Sequence, residues 1–296
     1  MNSEKPLFER IHIAYKVAAK LLGLQDIDRL SFSPIVNWGY FMFRSLETLL
    51  SELLGREIEL TACSGLTATA VFLKESRLPS KKNVVYKLST QNEHLVLKIF
   101  QSDLAEKEHS ILLSCRSRGI KVPEPYLLGD DFILMEFLDG PNLCDLLNES
   151  PDFEYAEMMA DWFQAFHHAF RNGKLTMVKS DAKLHNFLLT RKGLAGLDFE
   201  LAHEGDPLED IGEMCAHILD TDPMFTHRKF ELCEHLLRRY SEKAGNTLSG
   251  ITKWVVVALE EAASFRPSQR KELEKWVAGL DRGTVAPFCD LDPQNR

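Results

Sequence analysis

The sequence predicts an α+β fold in which a β-rich part precedes an α-rich part. Two observations carry that expectation. Between about residues 58 and 100 the apolar residues fall in short runs rich in Val, Ile, Leu and Phe, the pattern of strands. From 155 onward they recur at the three- and four-residue spacing of amphipathic helices. One strand–turn segment, 133–143, lies between the two.

The elements follow in order. The first sixty residues read as helical: FERIHIAYKVAAKLLGL, with Gly23 near its end, and YFMFRSLETLLSELLG, stopped by Gly55. Packing is the ordinary role for such runs, and a partner surface is the other. ATAVFLKES, NVVYKLS and HLVLKIF then read as strands, with TQNE as a tight turn between the last two. A helix, SDLAEKEHSILLSCRSRG, precedes the Pro-punctuated KVPEPYLLG, and DFILMEFLDG is a further strand with a glycine stop. EYAEMMADWFQAFHHAF sets Met159, Phe163, Phe166 and Phe170 on one helical face. Further helical runs fill roughly 208–220, 227–243, 250–263 and 267–280. The boundaries expected are a helical N-terminal segment at 1–57, a β-rich part at 58–137 and an α-rich part at 138–296.

Composition narrows the function. The chain has 296 residues, 45% hydrophobic and 27% charged, enough for a substantial core in a globular protein. A net charge of −9 argues against general binding to nucleic acid or an anionic membrane. No apolar run approaches the ~18–20 residues of a membrane span, and MNSEKPLFER has no apolar stretch of a signal peptide. The six cysteines (63, 115, 144, 215, 233 and 289) are scattered without a CxxC pair, which fits reduced thiols packed as small hydrophobes in a cytoplasmic protein.

The most informative stretch is VKSDAKLHNFLLTRKGLAGLDFELA. Asp181, Lys183 and Asn186 form a D-x-K-x-x-N run, and Asp198 follows Asn186 by twelve residues. FLL (187–189) reads as a strand, TRKG as a turn and LAGL (194–197) as a second strand ending at DFE. A six-residue run of this kind fits many solvated loops. A hairpin with acidic and amide groups at its mouth is harder to explain structurally. Phosphoryl transfer needs such groups: one carboxylate for the proton of an attacking hydroxyl, and an amide and a second carboxylate to hold Mg²⁺ against nucleotide phosphates.

Lys98 lies in the middle of HLVLKIF. It reads either as a residue on the solvent face of an amphipathic strand or as a cation for the α- and β-phosphates of ATP. In the second reading it needs an acidic partner, for which Glu108 on the following helix, with Leu112 beneath it, competes with Glu106. Met135, Glu136 and Phe137 end a strand just before LDGPNL, where backbone groups can read an adenine edge with Met135 lining the pocket. An ordinary buried strand end fits the same residues. His167 and His168 read as core or surface residues rather than a metal pair.

Taken together, these residues resemble the protein-kinase-like superfamily over roughly 60–220. NVVYKLSTQNEHLVLKIF is similar to the second and third strands of the small lobe, ILMEFLDGPNL to the hinge, KSDAKLHNFLL to the catalytic loop and LDFE to the metal-binding motif. The resemblance implies a small β-rich N-lobe and a larger α-helical C-lobe. It implies Asp181 and Lys183 as catalytic residues, Lys98, Glu108, Met135, Glu136 and Phe137 at the nucleotide, and Asn186 and Asp198 on the metal, with ATP and Mg²⁺ as cofactors.

Departures from that pattern sharpen it. The loop before NVVYK is RLPSKKN (77–83), without glycine, and CSGLTAT (63–69) resembles the nucleotide loop of aminoglycoside-type kinases. Lys179 and Ser180 stand where His-Arg or His-Gly is usual, and Glu200 replaces glycine after Asp198-Phe199. Only eleven residues separate Asp198 from Asp210, with no Ala-Pro-Glu and no room for a peptide platform. GDPLEDIG (205–212) resembles the segment of aminoglycoside and choline kinases in which Asp210 braces the catalytic loop, whereas Lys183 is the choice of Ser/Thr protein kinases. The reading is an atypical kinase similar to the RIO, Bud32 or lipopolysaccharide-kinase branches, acting on a protein Ser/Thr or a small molecule. The alternatives are a sugar or metabolite kinase of the aminoglycoside phosphotransferase type, a nucleotide-binding pseudokinase, and a two-metal hydrolase using Asp181, Asp198, Asp206 and Asp210.

Overall fold

The computed structural model describes residues 57–61, 67–90, 94–244 and 248–281. The N-terminal helical runs, residues 91–93 of the TQNE turn, Cys63 and Cys289 lie outside the described residues. The described chain forms two units. One runs up to Ser114 and takes in Pro123–Phe137; the other holds Cys115–Val122 and the described residues from Leu138 on.

The first unit is a six-stranded antiparallel sheet. Its strands are β1 (Glu57–Thr61), β2 (Thr67–Leu78), β3 (Val84–Thr90), β4 (His94–Ile99), β5 (Pro125–Leu128) and β6 (Phe132–Glu136), ordered β1-β2-β3-β4-β6-β5. Helix α1 (Ala105–Ser117) connects β4 to β5. In β4, Leu95, Leu97 and Ile99 alternate into the core as period-two geometry requires. In β6, Phe132, Ile133, Leu134 and Met135 are all buried, so the strand reads as a continuous apolar run between its neighbours. β5 is a strand that the proline-punctuated sequence does not advertise. It is the edge of the sheet, and Pro125 is its first residue, a position that needs no ladder donor. Of the two loops considered beside β3, Thr67–Thr69 already belong to β2, and so do Arg77 and Leu78; the turn before β3 is 79–83.

The second unit contains α2 (Leu143–Glu149), α3 (Phe153–Ala169), β7 (Thr176–Val178), β8 (Phe187–Thr190), β9 (Gly193–Gly196), β10 (His203–Gly205) and four further helices. These are α4 (Pro207–Leu219), α5 (His227–Ala244), α6 (Ile251–Phe265) and α7 (Arg270–Asp281). The predicted stripe on α3 is buried at Met159, Phe163 and Phe166, while Phe170 is the half-buried C-cap. Trp162 stacks on Phe166 (5.1 Å) and meets Phe187 edge-on (5.1 Å), which ties α3 to the β8–β9 hairpin. Gly196 on β9 is held to glycine by that ring, since a Cβ there would come within 2.5 Å of Trp162.

Residues 115–122, expected with the β-rich part, cluster with the second unit instead. The cause is local bonding: the Lys121 carbonyl accepts from the Trp162 indole (3.2 Å) and from the Gly196 N–H (3.1 Å), and Arg118 lies over Phe170. α4 starts where Asp206 accepts from the Leu208 N–H at 2.9 Å and Pro207 takes the first turn. Gly212 lets α4 lie against α6, because a Cβ would meet Trp254 at 2.4 Å. Cys115, Cys144, Cys215 and Cys233 are buried free thiols. Among the described residues no helix is long and apolar enough to cross a membrane.

Candidate functional site

In the first unit Lys98 is not on a solvent face. Its side chain is 8% exposed, and Nζ donates to Glu108 Oε2 at 2.7 Å. Glu108 is buried one turn before the buried Leu112, whereas Glu106 is exposed. An ammonium pinned on a central strand by a helical carboxylate is fixed in direction, which an exposed lysine is not.

At the end of β6 the main chain is partly committed. The Glu136 N–H donates to Glu124 O (2.8 Å) and the Phe137 N–H to His94 O (3.3 Å). The Glu136 carboxylate accepts from the Glu124 N–H at 3.2 Å, and Met135 is buried. The Glu136 and Phe137 N–H groups are therefore already bonded within the unit.

In the second unit the D-x-K-x-x-N run closes on itself. β7 ends at Val178, and residues 184–186 form a 3₁₀ turn leading into β8. Asn186 Nδ2 donates to Asp181 Oδ2 (2.7 Å) and to the Asp181 carbonyl (3.1 Å). Lys183 Nζ donates to Asp181 Oδ1. Each carboxylate oxygen of Asp181 thus faces its own donor. Burial lowers the Lys183 pKa, but the Asp181 hydrogen bond and charge outweigh it and hold it above the ordinary value.

Asp198 follows β9, and the Leu197 N–H donates to the Asn186 carbonyl at 2.8 Å, so Asp198 and Asn186 sit on adjoining backbone. Asp198 has φ 61 and Ser180 φ 55, left-handed values that an ordinary side chain adopts only where its surroundings impose them.

Two residues impose them. Asp210, fully buried on α4, accepts the Lys179 N–H at Oδ2 (2.7 Å) and the Ser180 N–H at Oδ1 (2.9 Å). It is itself held by His167 Nε2 at 3.0 Å, while His167 Nδ1 meets the Tyr240 hydroxyl at 2.8 Å. Lys179, fully buried, reaches the carbonyls of Asp181 (2.6 Å) and Asp198 (2.9 Å) with Nζ. Burial lowers its pKa, against the raising effect of Asp181, Asp198, Asp210 and Glu213. One turn along α4, Glu213 Oε2 accepts the Ala182 N–H at 2.9 Å.

Sequence reasoning singled out Asp210 as a brace but passed over Lys179, His167 and Glu213 as contributors. The one available signal was a lysine at 179 where the resemblance leads one to expect histidine. Asp206 has a structural job as the cap of α4.

Residues 69–206 match the family model of the RIO domain. None of the curated proteins matches the chain. Among solved structures, the amicoumacin kinase hAmiN in complex with AMP-PNP and Ca²⁺ superposes with a TM-score of 0.58 at 11% identity, over 74% of this chain and 90% of that one. The aminoglycoside phosphotransferase APH(4)-Ia with AMP-PNP and hygromycin B gives 0.56 at 12% identity, over 73% and 96%. The choline kinase LicA from Streptococcus pneumoniae gives 0.54 at 15% identity, over 72% and 95%. The chain thus shares its fold with these kinases, and the RIO-domain match runs across both its buried Lys–Glu pair and its Asp–Asn loop.

Proposed function

We propose that the chain is an ATP- and Mg²⁺-dependent phosphotransferase that moves the γ-phosphoryl group of ATP to a hydroxyl. The observation that carries this reading is the Asp181 carboxylate, held by Asn186 on one oxygen and Lys183 on the other. A carboxylate so fixed orients an acceptor hydroxyl and takes its proton, while Lys183 stays charged to meet the transferring group. Lys98, directed by Glu108, neutralises the nucleotide phosphates. Asn186 commits its N–H groups to Asp181, which leaves its amide oxygen to join the Asp198 carboxylate as hard ligands of the kind Mg²⁺ takes. Bound there, Mg²⁺ would offset phosphate charge and fix the nucleotide.

The resemblance to kinases solved with AMP-PNP supports ATP as the donor. The short span from Asp198 to α4, which contains a single three-residue strand, favours a small-molecule acceptor over a peptide. The two-metal hydrolase reading loses two of its four carboxylates, since Asp206 caps α4 and Asp210 is bonded to main-chain N–H groups. The test is incubation with γ-labelled ATP and Mg²⁺, with and without extracted proteins and metabolites. Label in a metabolite or protein fraction is expected. Label in neither, with no thermal stabilisation by Mg-ATP, counts against a kinase.

A further inference from the structure

We infer that Lys179 is a positioning residue that sets the two acidic loops of the site in register with a single ammonium. The inference rests on the kinase reading above. Its grounds are the two carbonyls that Nζ joins, that of Asp181 at 2.6 Å and that of Asp198 at 2.9 Å. They belong to segments seventeen residues apart in sequence, and each lies on the residue whose carboxylate does the chemistry. Moving either carbonyl turns that carboxylate.

The rest of the ammonium's surroundings are built for a fixed cation. Its side chain is fully buried, and Nζ lies 5.3 Å from the Phe199 ring centre and 5.7 Å from that of Phe187. The Phe199 ring belongs to the residue after Asp198, and Phe187 to the residue after Asn186, so the same cage is walled by the neighbours of the proposed metal ligands. The Lys179 main chain is held separately, through its N–H on Asp210. Side chain and backbone therefore anchor different things: Asp210 the loop at 179–180, and Nζ the distance between Asp181 and Asp198. A lysine kept only for packing would not aim a buried charge at two carbonyls, because an apolar side chain of the same length fills the space without the cost of desolvation. Two of the left-handed non-glycine residues, Ser180 and Asp198, lie within this clamp.

The test uses the full chain with Lys179→Met, which keeps length and removes the donors, and Lys179→His, which offers fewer donors on a shorter reach. Three readouts are taken: Mn²⁺ binding with AMP-PNP by the loss of the free-ion resonance, amide exchange of 180–186 and 197–202, and ATP turnover. In Lys179→Met the dissociation constant for Mn²⁺ should rise by about 10–100-fold, as for other residues that orient metal ligands. Exchange should quicken in both segments together while the α5 and α6 amides stay protected. Lys179→His should restore protection in one segment and not the other. If Lys179→Met exchanges like the parent in both segments, the clamp is refuted, as it is if protection falls in only one of them. Should Lys179→Met fail to fold, Lys179→His alone decides: protection kept in one segment and lost in the other supports the clamp, and equal protection of both segments refutes it. A parent chain that binds no Mn²⁺ or AMP-PNP would defeat the kinase reading, while the exchange arm would still decide the clamp.

Discussion

Asp210 Oδ1 accepts the N–H of Ser180 at 2.9 Å, and Ser180 has φ 55. A carboxylate on α4 thus holds a left-handed residue thirty positions earlier, with the Lys179 N–H on its other oxygen. His167 Nε2 lies 3.0 Å from the same carboxylate, and its Nδ1 lies 2.8 Å from the Tyr240 hydroxyl.

Asp210→Asn should therefore destabilise the fold. An amide keeps the shape but turns an N–H donor toward one of three donors already there, in a buried site. The expected loss is about 2–4 kcal/mol, read as a shift of the urea midpoint at unchanged slope. A loss below about 0.5 kcal/mol would contradict the bracing role.

Lys98→Met addresses the other unit. It leaves the buried Glu108 carboxylate without this ammonium, at a cost on the order of 3–5 kcal/mol. Lys98→Met combined with Glu108→Leu should recover most of that, because both charges are then gone. Chemical denaturation of the single and double variants gives the coupling, and additive losses would show that the pair is not a unit.

His217 gives a pH signature. Burial lowers its pKa, but Asp220 (3.7 Å) and Glu213 (3.6 Å) outweigh burial and raise it from 6.5 to about 9. Arg266, 3.0 Å from Asp220, shares that carboxylate. A raised folded-state pKa contributes stability that is fully present below the unfolded value and is lost as pH rises through the folded one. The contribution, on the order of 1–2 kcal/mol, should fade between pH 6.5 and about 9. Thermal midpoints of the parent and of His217→Gln should accordingly converge across that window, and parallel curves would contradict the raised pKa.

Much of this was legible in the sequence, for identifiable reasons. β4 and β8 show as short apolar runs, and α3 shows through its aromatic stripe. Asp181, Asn186 and Asp198 stand out by their spacing, and the structure brings the Asn186 amide onto the Asp181 carboxylate. What was not legible depends on the third dimension. A lysine in VKSD carries no mark of being wholly buried, and nothing local pairs His167 with Asp210. α2, β7 and β10 are too short for periodicity to speak, and β5 hides behind its proline. Nothing local shows that the Lys121 carbonyl, just past a helix that was legible, is claimed by Trp162 and Gly196.

The nucleotide and acceptor sides of the site should separate by mutation. Asn186→Ala removes a proposed metal ligand and one donor to Asp181, so Mg-ATP should stabilise the variant against heat less than it stabilises the parent. Equal thermal shifts at saturating Mg-ATP would remove Asn186 from the metal.

Phosphoryl transfer by Asp181→Asn tests the account most directly. The substitution keeps the side chain's shape, removes its basicity, and sets an amide against Lys183 and Asn186. Transfer from γ-labelled ATP to the acceptor fraction should fall by about 10²–10⁴-fold, with Mg-ATP stabilisation close to that of the parent. Transfer at the parent rate would contradict the assignment of Asp181 and with it the proposed chemistry.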